Sequence, residues 1–154
     1  MNNFKTGANG LALLKHFEGC KLEAYHDSRG IVTIGYGHTG FLNGEPLKIG
    51  DTITQQQAED LLKSDLFVRE KGINQLIEVI IDQDKFDAVI DFVYNEGINA
   101  FRGSNLLNLI NKGLFPQASQ EFQKWVRAGD QILPGLVKRR AAESILFLDG
   151  KLII

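Results

Sequence analysis

The sequence predicts an α+β fold: a small β-containing N-terminal lobe, then a helical C-terminal lobe. Three observations carry that prediction. Between Leu22 and Gly37, turn residues alternate with a β-branched, glycine-bearing run, "DSRGIVTIGYG", as in a hairpin. Beyond Thr54, apolar residues recur at helical spacing almost to the end of the chain. The helical stretches are joined by short connections marked by Gly, Pro or Ser.

The elements follow in order. Asn9 or Gly10 starts a helix that puts Leu11, Leu14 and Phe17 on one face, and Gly19 offers its stop, so Glu18 sits at the helix end. "NGEP" and "KIGD" mark further turns before residue 54. Thr54 with Gln57 is a capping-box pattern, and Ala58, Leu61, Leu62, Leu66, Ile73, Leu76, Ile77 and Ile80 trace one face of a long helix weakened at Gly72. Further helices fit residues 84–95, stopping near Gly97; a segment capped by Ser104 and ending before Gly113; Pro116 to Trp125; and Pro134 to about Leu148. The expected organisation is one domain over 1–154: about 1–53 for the first helix and the β-lobe, about 54–81 for a connecting helix, and about 82–154 for the helical lobe.

Composition sets the outer bounds. Hydrophobic residues at 44% and charged residues at 23% are ordinary globular usage and exclude a largely disordered chain. The net charge of −2 divides into −6 for residues 1–100 and +4 for residues 101–154. That excess is too scattered for a nucleic-acid-binding stripe. Cys20 is the one cysteine, so no internal disulfide and no cysteine-rich zinc site can form. The three histidines show no metal-ligand spacing, and no apolar run approaches the roughly 18 residues of a membrane span. No signal-peptide pattern is read at the N-terminus, so synthesis in the cytoplasm is the expectation.

The stretch "FEGCKLEAYHDSRGIVTIGYGHT" carries the chemistry. Glu18 ends a helix and Asp27, nine positions on, enters a turn, so two carboxyls can occupy different surroundings. Glycosidic cleavage needs such a pair, one as acid to the leaving oxygen and one as anion or base across the sugar ring. Burial beside Phe17 favours Glu18 as the acid, while the polar turn with Ser28 and Arg29 favours an ionised Asp27. Thr33, on the returning strand, offers a hydroxyl to orient water. Spacing alone leaves a surface-turn reading of the three residues open.

The full pattern resembles the catalytic segment of phage-type lysozymes, or endolysins, of glycoside hydrolase family 24. Glu18-Gly19, Leu22, Tyr25, Asp27, Gly30 and Thr33-Ile34-Gly35-Tyr36-Gly37-His38 fall on the family's motif positions. "FVYNEG", "AFRGSNLLNLIN" and "KWVRAGDQILPGLVKRRAAE" are similar to its helical lobe, so the likeness covers most of residues 9–150. The resemblance implies a cleft between two lobes and hydrolysis of the β-1,4 bond between N-acetylmuramic acid and N-acetylglucosamine in peptidoglycan. It implies Glu18 as general acid, Asp27 and Thr33 placing or activating water, and no metal or other cofactor. It also implies inversion at the anomeric carbon, with carboxyls roughly 6.5–9.5 Å apart.

Other residues keep two readings. Tyr36, Asn95 and Arg102 are candidate substrate contacts, although Tyr36 and Tyr25 equally fit sheet packing. His38 fits a structural hydrogen-bonding role, Trp125 the core, and Cys20 a small apolar position rather than a nucleophile. Glu96 reads as an exposed charge. Lys138, Arg139 and Arg140 can attract wall carboxylates, while Arg139 and Glu143 fit a local ion pair worth a few tenths of a kcal/mol. The implied setting is a monomer held in the host cytoplasm until a holin opens the route to the wall in the periplasm, without membrane insertion or nucleic acid. A lytic transglycosylase or a non-catalytic wall-binding paralogue is the alternative.

Overall fold

The computed structural model describes residues 2–154; Met1 lies outside the described residues. In chain order the elements are α1 (Ala8–Glu18), β1 (Lys21–His26), β2 (Val32–Gly35), β3 (His38–Thr39), β4 (Phe41–Leu42), β5 (Glu45–Pro46), α2 (Gln55–Leu76), α3 (Gln83–Glu96), α4 (Ile98–Arg102), α5 (Asn105–Asn111), α6 (Phe115–Glu121), a 3-10 turn (Phe122–Lys124), β6 (Arg127–Ala128), β7 (Gln131–Ile132) and α7 (Pro134–Asp149). The chain divides into two compact units. The smaller is Lys15–Phe67, and the larger combines the chain up to Leu14 with Val68–Ile154.

The smaller unit is a three-stranded antiparallel sheet, a short hairpin and the first half of α2. The sheet order is β1-β2-β3, with Tyr25 opposite Thr33, His26 opposite Val32, and Ile34 opposite His38. The other edge of β1 is taken by the segment before α2, through Ala24 N–H to Asp51 C=O and Ile53 N–H to Leu22 C=O, both 2.9 Å. That covering closes an edge that would otherwise offer unpaired backbone groups. The β4–β5 hairpin turns at Asn43 and Gly44, both with positive φ (54° and 81°), as a tight two-residue connection between twisted strands requires. Ile34, Leu47, Ile53, Ala58, Leu62 and Leu66 are buried. Reciprocal bonds between Thr54 and Gln57, at 2.8 and 3.1 Å, form the expected capping box at the start of α2.

The larger unit is helical, with α3 buried along one continuous stretch from Phe86 to Val93. Its aromatic core centres on Phe92, whose ring meets Phe101, Phe122 and Trp125 edge-on at 5.4 to 6.3 Å between centroids. Such arrangements match the positive edge of one ring to the negative face of another. Trp125, expected in the core, packs edge-on against it but stays half-buried. Asp82 caps α3 by accepting from Lys85 N–H, Gly97 closes it, and Ser104 caps α5 by accepting from Leu107 N–H. Asp87 of α3 accepts from the Gly7 and Gly10 N–H groups at 2.8 and 3.0 Å, satisfying donors at the start of α1. A Cβ at Gly10 would lie 2.8 Å from the Asp87 carboxyl carbon, which explains the glycine there.

Several boundaries differ from those expected. The long helix ends at Leu76 rather than near residue 81, because Asn111 donates to the Leu76 carbonyl (3.0 Å) and accepts from Glu78 N–H (2.8 Å), capping it from a distant part of the chain. Gly72 does not weaken it: Ile98 lies 3.1 Å from where a Cβ would stand, so the glycine admits a close neighbour. The helix opened near Pro116 ends at Glu121 and tightens into the 3-10 turn before Trp125. The hairpin β6–β7 and the short α4 were not expected.

Candidate active site

Glu18 is the last residue of α1, and Gly19, at φ +66°, turns the chain out of the helix with its N–H on the Lys15 carbonyl at 3.0 Å. Glycine has no Cβ to oppose this left-handed conformation. The carboxyl of Glu18 is partly buried.

Asp27 opens the turn that joins β1 to β2. Its backbone accepts from Gly30 N–H and donates to Ile31 C=O, both at 2.9 Å, and Gly30 takes φ +80°. Its Oδ1 accepts two backbone N–H groups, Arg29 at 2.8 Å and Ile31 at 2.9 Å. The carboxylate is therefore held through Oδ1 by the backbone of its own turn. The Ile31 N–H is the main cause holding the Asp27 carboxyl below the usual range, against desolvation, with further help from the Arg29 N–H and charge and the Gly30 N–H. These donors favour the ionised carboxylate.

Thr33 is buried in β2, directly across the ladder from Tyr25. Its hydroxyl donates to the Ile31 carbonyl at 2.9 Å. With that proton committed, Thr33 Oγ1 can only accept from a water. Tyr25 ties the three residues together. It pairs with Thr33 across the ladder, precedes the turn residue Asp27 by two positions, and its phenol feels the charges of both Glu18 and Asp27. All four residues belong to the smaller unit.

The sequence pattern of the phage lysozyme family matches residues 15–143. The chain belongs to the phage lysozyme family. The endolysin of Acyrthosiphon pisum secondary endosymbiont phage 1 is 45% identical over 142 residues, 90% of this chain and 94% of that protein. The endolysin of Bacillus phage PZA is 41% identical over 143 residues, 92% of this chain, but this chain spans only about half (54%) of its length. A protein named SAR-endolysin, from bacteriophage PS119, is 37% identical over 134 residues, covering 87% of this chain and 78% of that one. Among solved structures, an endolysin from Escherichia coli O157:H7 phage FAHEc1 superposes with a TM-score of 0.91 at 34% identity, covering 99% of each chain. The phage lysozyme family comprises glycoside hydrolases that degrade peptidoglycan.

The remaining phage lysozyme candidates are placed differently. Tyr36 is 8% exposed, its hydroxyl accepts from Gln55 Nε2 at 3.0 Å, and Lys15 Nζ stands 5.3 Å from its ring centre, so only a narrow edge can reach a sugar. Asn95 belongs to α3 and its Oδ1 accepts from Arg140 Nη2 at 2.8 Å, which turns its amide NH₂ elsewhere. Arg102 ends α4, exposed, with its guanidinium on the Asn99 side chain. Cys20 Sγ lies 3.8 Å from Gln55 Oε1. Among the described residues, no group of three or more His, Cys, Asp or Glu side chains is arranged to hold a metal ion.

Three charge readings are corrected. Arg139 and Arg140 are buried, so they are not offered to wall carboxylates. Arg139 makes a two-pronged pair with Asp91, Nε to Oδ2 and Nη2 to Oδ1, each 2.9 Å, and lies 4.0 Å from Glu143, so the local i,i+4 pair is the lesser contact. Glu96 is not an isolated charge: its Oε1 accepts from Arg140 Nη1 at 3.2 Å. Sequence spacing could only propose partners on the same helix; both guanidiniums also reach carboxylates on α3, while Arg140 keeps Glu143 of its own helix at 2.8 Å.

Proposed function

We propose that this chain hydrolyses the β-1,4 bond between N-acetylmuramic acid and N-acetylglucosamine, with Glu18 as general acid and Asp27 as the base that activates water beside Thr33. The carrying observation is the fixed Asp27, whose Oδ1 is held by two backbone N–H groups that keep its carboxyl below the usual range. Glu18 gives its proton to the leaving oxygen as the C1–O bond breaks. The water oxygen bonds to C1 from the opposite side, and its proton passes to Asp27, so the configuration inverts. Asn95, through its amide NH₂, and Arg102 are assigned to substrate contact, with the accessible edge of Tyr36.

Glu18→Gln is expected to lower turnover of permeabilised Gram-negative cells at least about 10³-fold while leaving a cooperative unfolding transition. Near-normal turnover in that variant would remove Glu18 from the mechanism. Products carrying one added water per cut bond fit hydrolysis, whereas anhydro-sugar ends would mark a transglycosylase.

Delivery is part of the same reading. The chain acts as a monomer and waits in the host cytoplasm for a holin to admit it to the wall. The kinship with SAR-endolysins sets the rival route of export. Among the described residues no helix is long and apolar enough to cross a membrane. Lysis that requires a co-expressed holin supports the first route, and lysis from expression of the chain alone overturns it.

A further inference from the structure

The hydrogen-bond inventory around the attacking water is incomplete with Asp27 and Thr33 alone. A water placed there has two protons and two lone pairs. One proton goes to Asp27 Oδ2 and the other to Thr33 Oγ1, which can only accept because its own proton is on the Ile31 carbonyl. One lone pair faces the sugar carbon. The second lone pair can accept from a donor, and neither Asp27 nor Thr33 can be one.

Two donors share this face of β1: Lys21 and Tyr25. Lys21 Nζ is drawn over the Tyr25 ring, 4.3 Å from its centre, a cation–π contact that engages the ammonium and fixes the ring. The fold thus holds Tyr25 by its ring, half-buried, opposite Thr33 and two residues before Asp27.

We propose that Tyr25 is a positioning residue of the site, its phenol O–H donating to the attacking water from the sheet face shared with Thr33, beside the turn that carries Asp27. This rests on the assignment of Glu18, Asp27 and Thr33 made above. The charged groups facing the phenol are Glu18 from α1, Asp27 from the turn and Lys21 from its own strand. Burial first, then the charges of Glu18 and Asp27, push the Tyr25 phenol above its ordinary range. The proton therefore stays on the oxygen wherever the enzyme works, as a donor requires.

Tyr25→Phe keeps the ring, the Lys21 contact and the packing, and removes only the O–H. On soluble peptidoglycan fragments kcat is expected to fall about tenfold with KM within about twofold. The thermal midpoint should stay within about 2 °C, since no buried bond is lost. Unchanged kcat overturns the proposal, and so does a loss that appears in KM or in the midpoint, because that is what sugar contact or plain packing would give. A readout independent of turnover uses tyrosine labelled at the ring carbon bearing oxygen, in a chain with only 3 tyrosines. Glu18→Gln should lower the pH at which the Tyr25 signal titrates, and no movement would place the phenol outside the site. The Glu18→Gln control also separates the two levels. If that variant remains active, the underlying assignment fails; if it is inactive while Tyr25→Phe turns over normally, only the role of Tyr25 fails.

Discussion

In the larger unit Asp91, Arg139, Arg140 and Glu143 are all buried, and each charge is answered by another within hydrogen-bond reach. In the smaller unit Glu18, Lys21 and Asp27 lie at the end of a helix, at the start of a strand and in a turn, partly or fully exposed. Burial pushes Glu143 well above the usual carboxyl range, helped by neighbouring Asp91. Burial alone would raise Asp91 as well, but the hydrogen bond with Glu143 and the facing Arg139 and Arg140 hold it below its ordinary value. One carboxyl is thus kept neutral and donates to the other. The buried region thus splits a pair of acids by surroundings. The buried pair bonds between α3 and α7, whereas Asp27 is bonded only by the backbone of its own turn.

The largest expected effect that tests this contrast is in the buried set. Asp91→Ala strands the Arg139 guanidinium without its two-pronged partner, and a buried pair broken on one side costs about 3–5 kcal/mol. Urea unfolding should show that loss while the specific activity of the folded fraction is preserved. The joint replacement Asp91→Leu with Arg139→Met should recover much of the stability, since no charge is then left unpaired. A single-variant loss below about 1 kcal/mol would break the contrast.

A middle case lies in the smaller unit but behaves like the larger one. His38 Nδ1 is 2.8 Å from Asp65 Oδ2 and Nε2 is 2.7 Å from the Phe41 carbonyl. Acceptors on both sides suit a ring that donates through both nitrogens, tying β3 to α2 and to β4. His38→Ala should cost about 2–3 kcal/mol, the scale of a hydrogen bond to a charged group with its partner left behind. Turnover at a temperature where the variant is folded should change little. A loss of activity without a loss of stability would move His38 from the scaffold to the reacting site.

What could be read from the chain follows the same division between local and distant causes. Thr54 with Gln57, Ser104 and Gly97 mark helix ends through their own side chains or backbone, and those ends fall where the sequence predicts. The end of α2 at Leu76 was not legible, because its cap is Asn111, 35 residues away from the carbonyl it binds. Arg139 was misread for the same reason: Glu143 is four residues distant on one helix, but Asp91 is 48 away in sequence. At the candidate site, Glu18, Asp27 and Thr33 stand out because their intervals and flanking glycines form one local pattern. Tyr25 did not, since alternation on a strand reads equally as packing. Only the ladder register and the commitment of the Thr33 proton distinguish its place.

The smallest effect probes how Asp27 is kept ionised. Its folded value lies below that of an unfolded chain, first through the Ile31 N–H, then, against desolvation, through the N–H and charge of Arg29 and the Gly30 N–H. The sign follows: the stabilisation it contributes is present above the ordinary aspartate range and is lost as pH falls through the depressed folded value. The acid limb of the rate profile should therefore lie below that ordinary range. Arg29→Gln removes the side-chain charge and leaves the backbone donors in place, so the limb should move upward only slightly. Arg29 is exposed, and at about 1 M salt the screening length is only about 3 Å. Wild type and Arg29→Gln should then share one acid limb. A shift that survives high salt would mean that Arg29 shapes the turn itself, because backbone hydrogen bonds around Asp27 are not screened in that way.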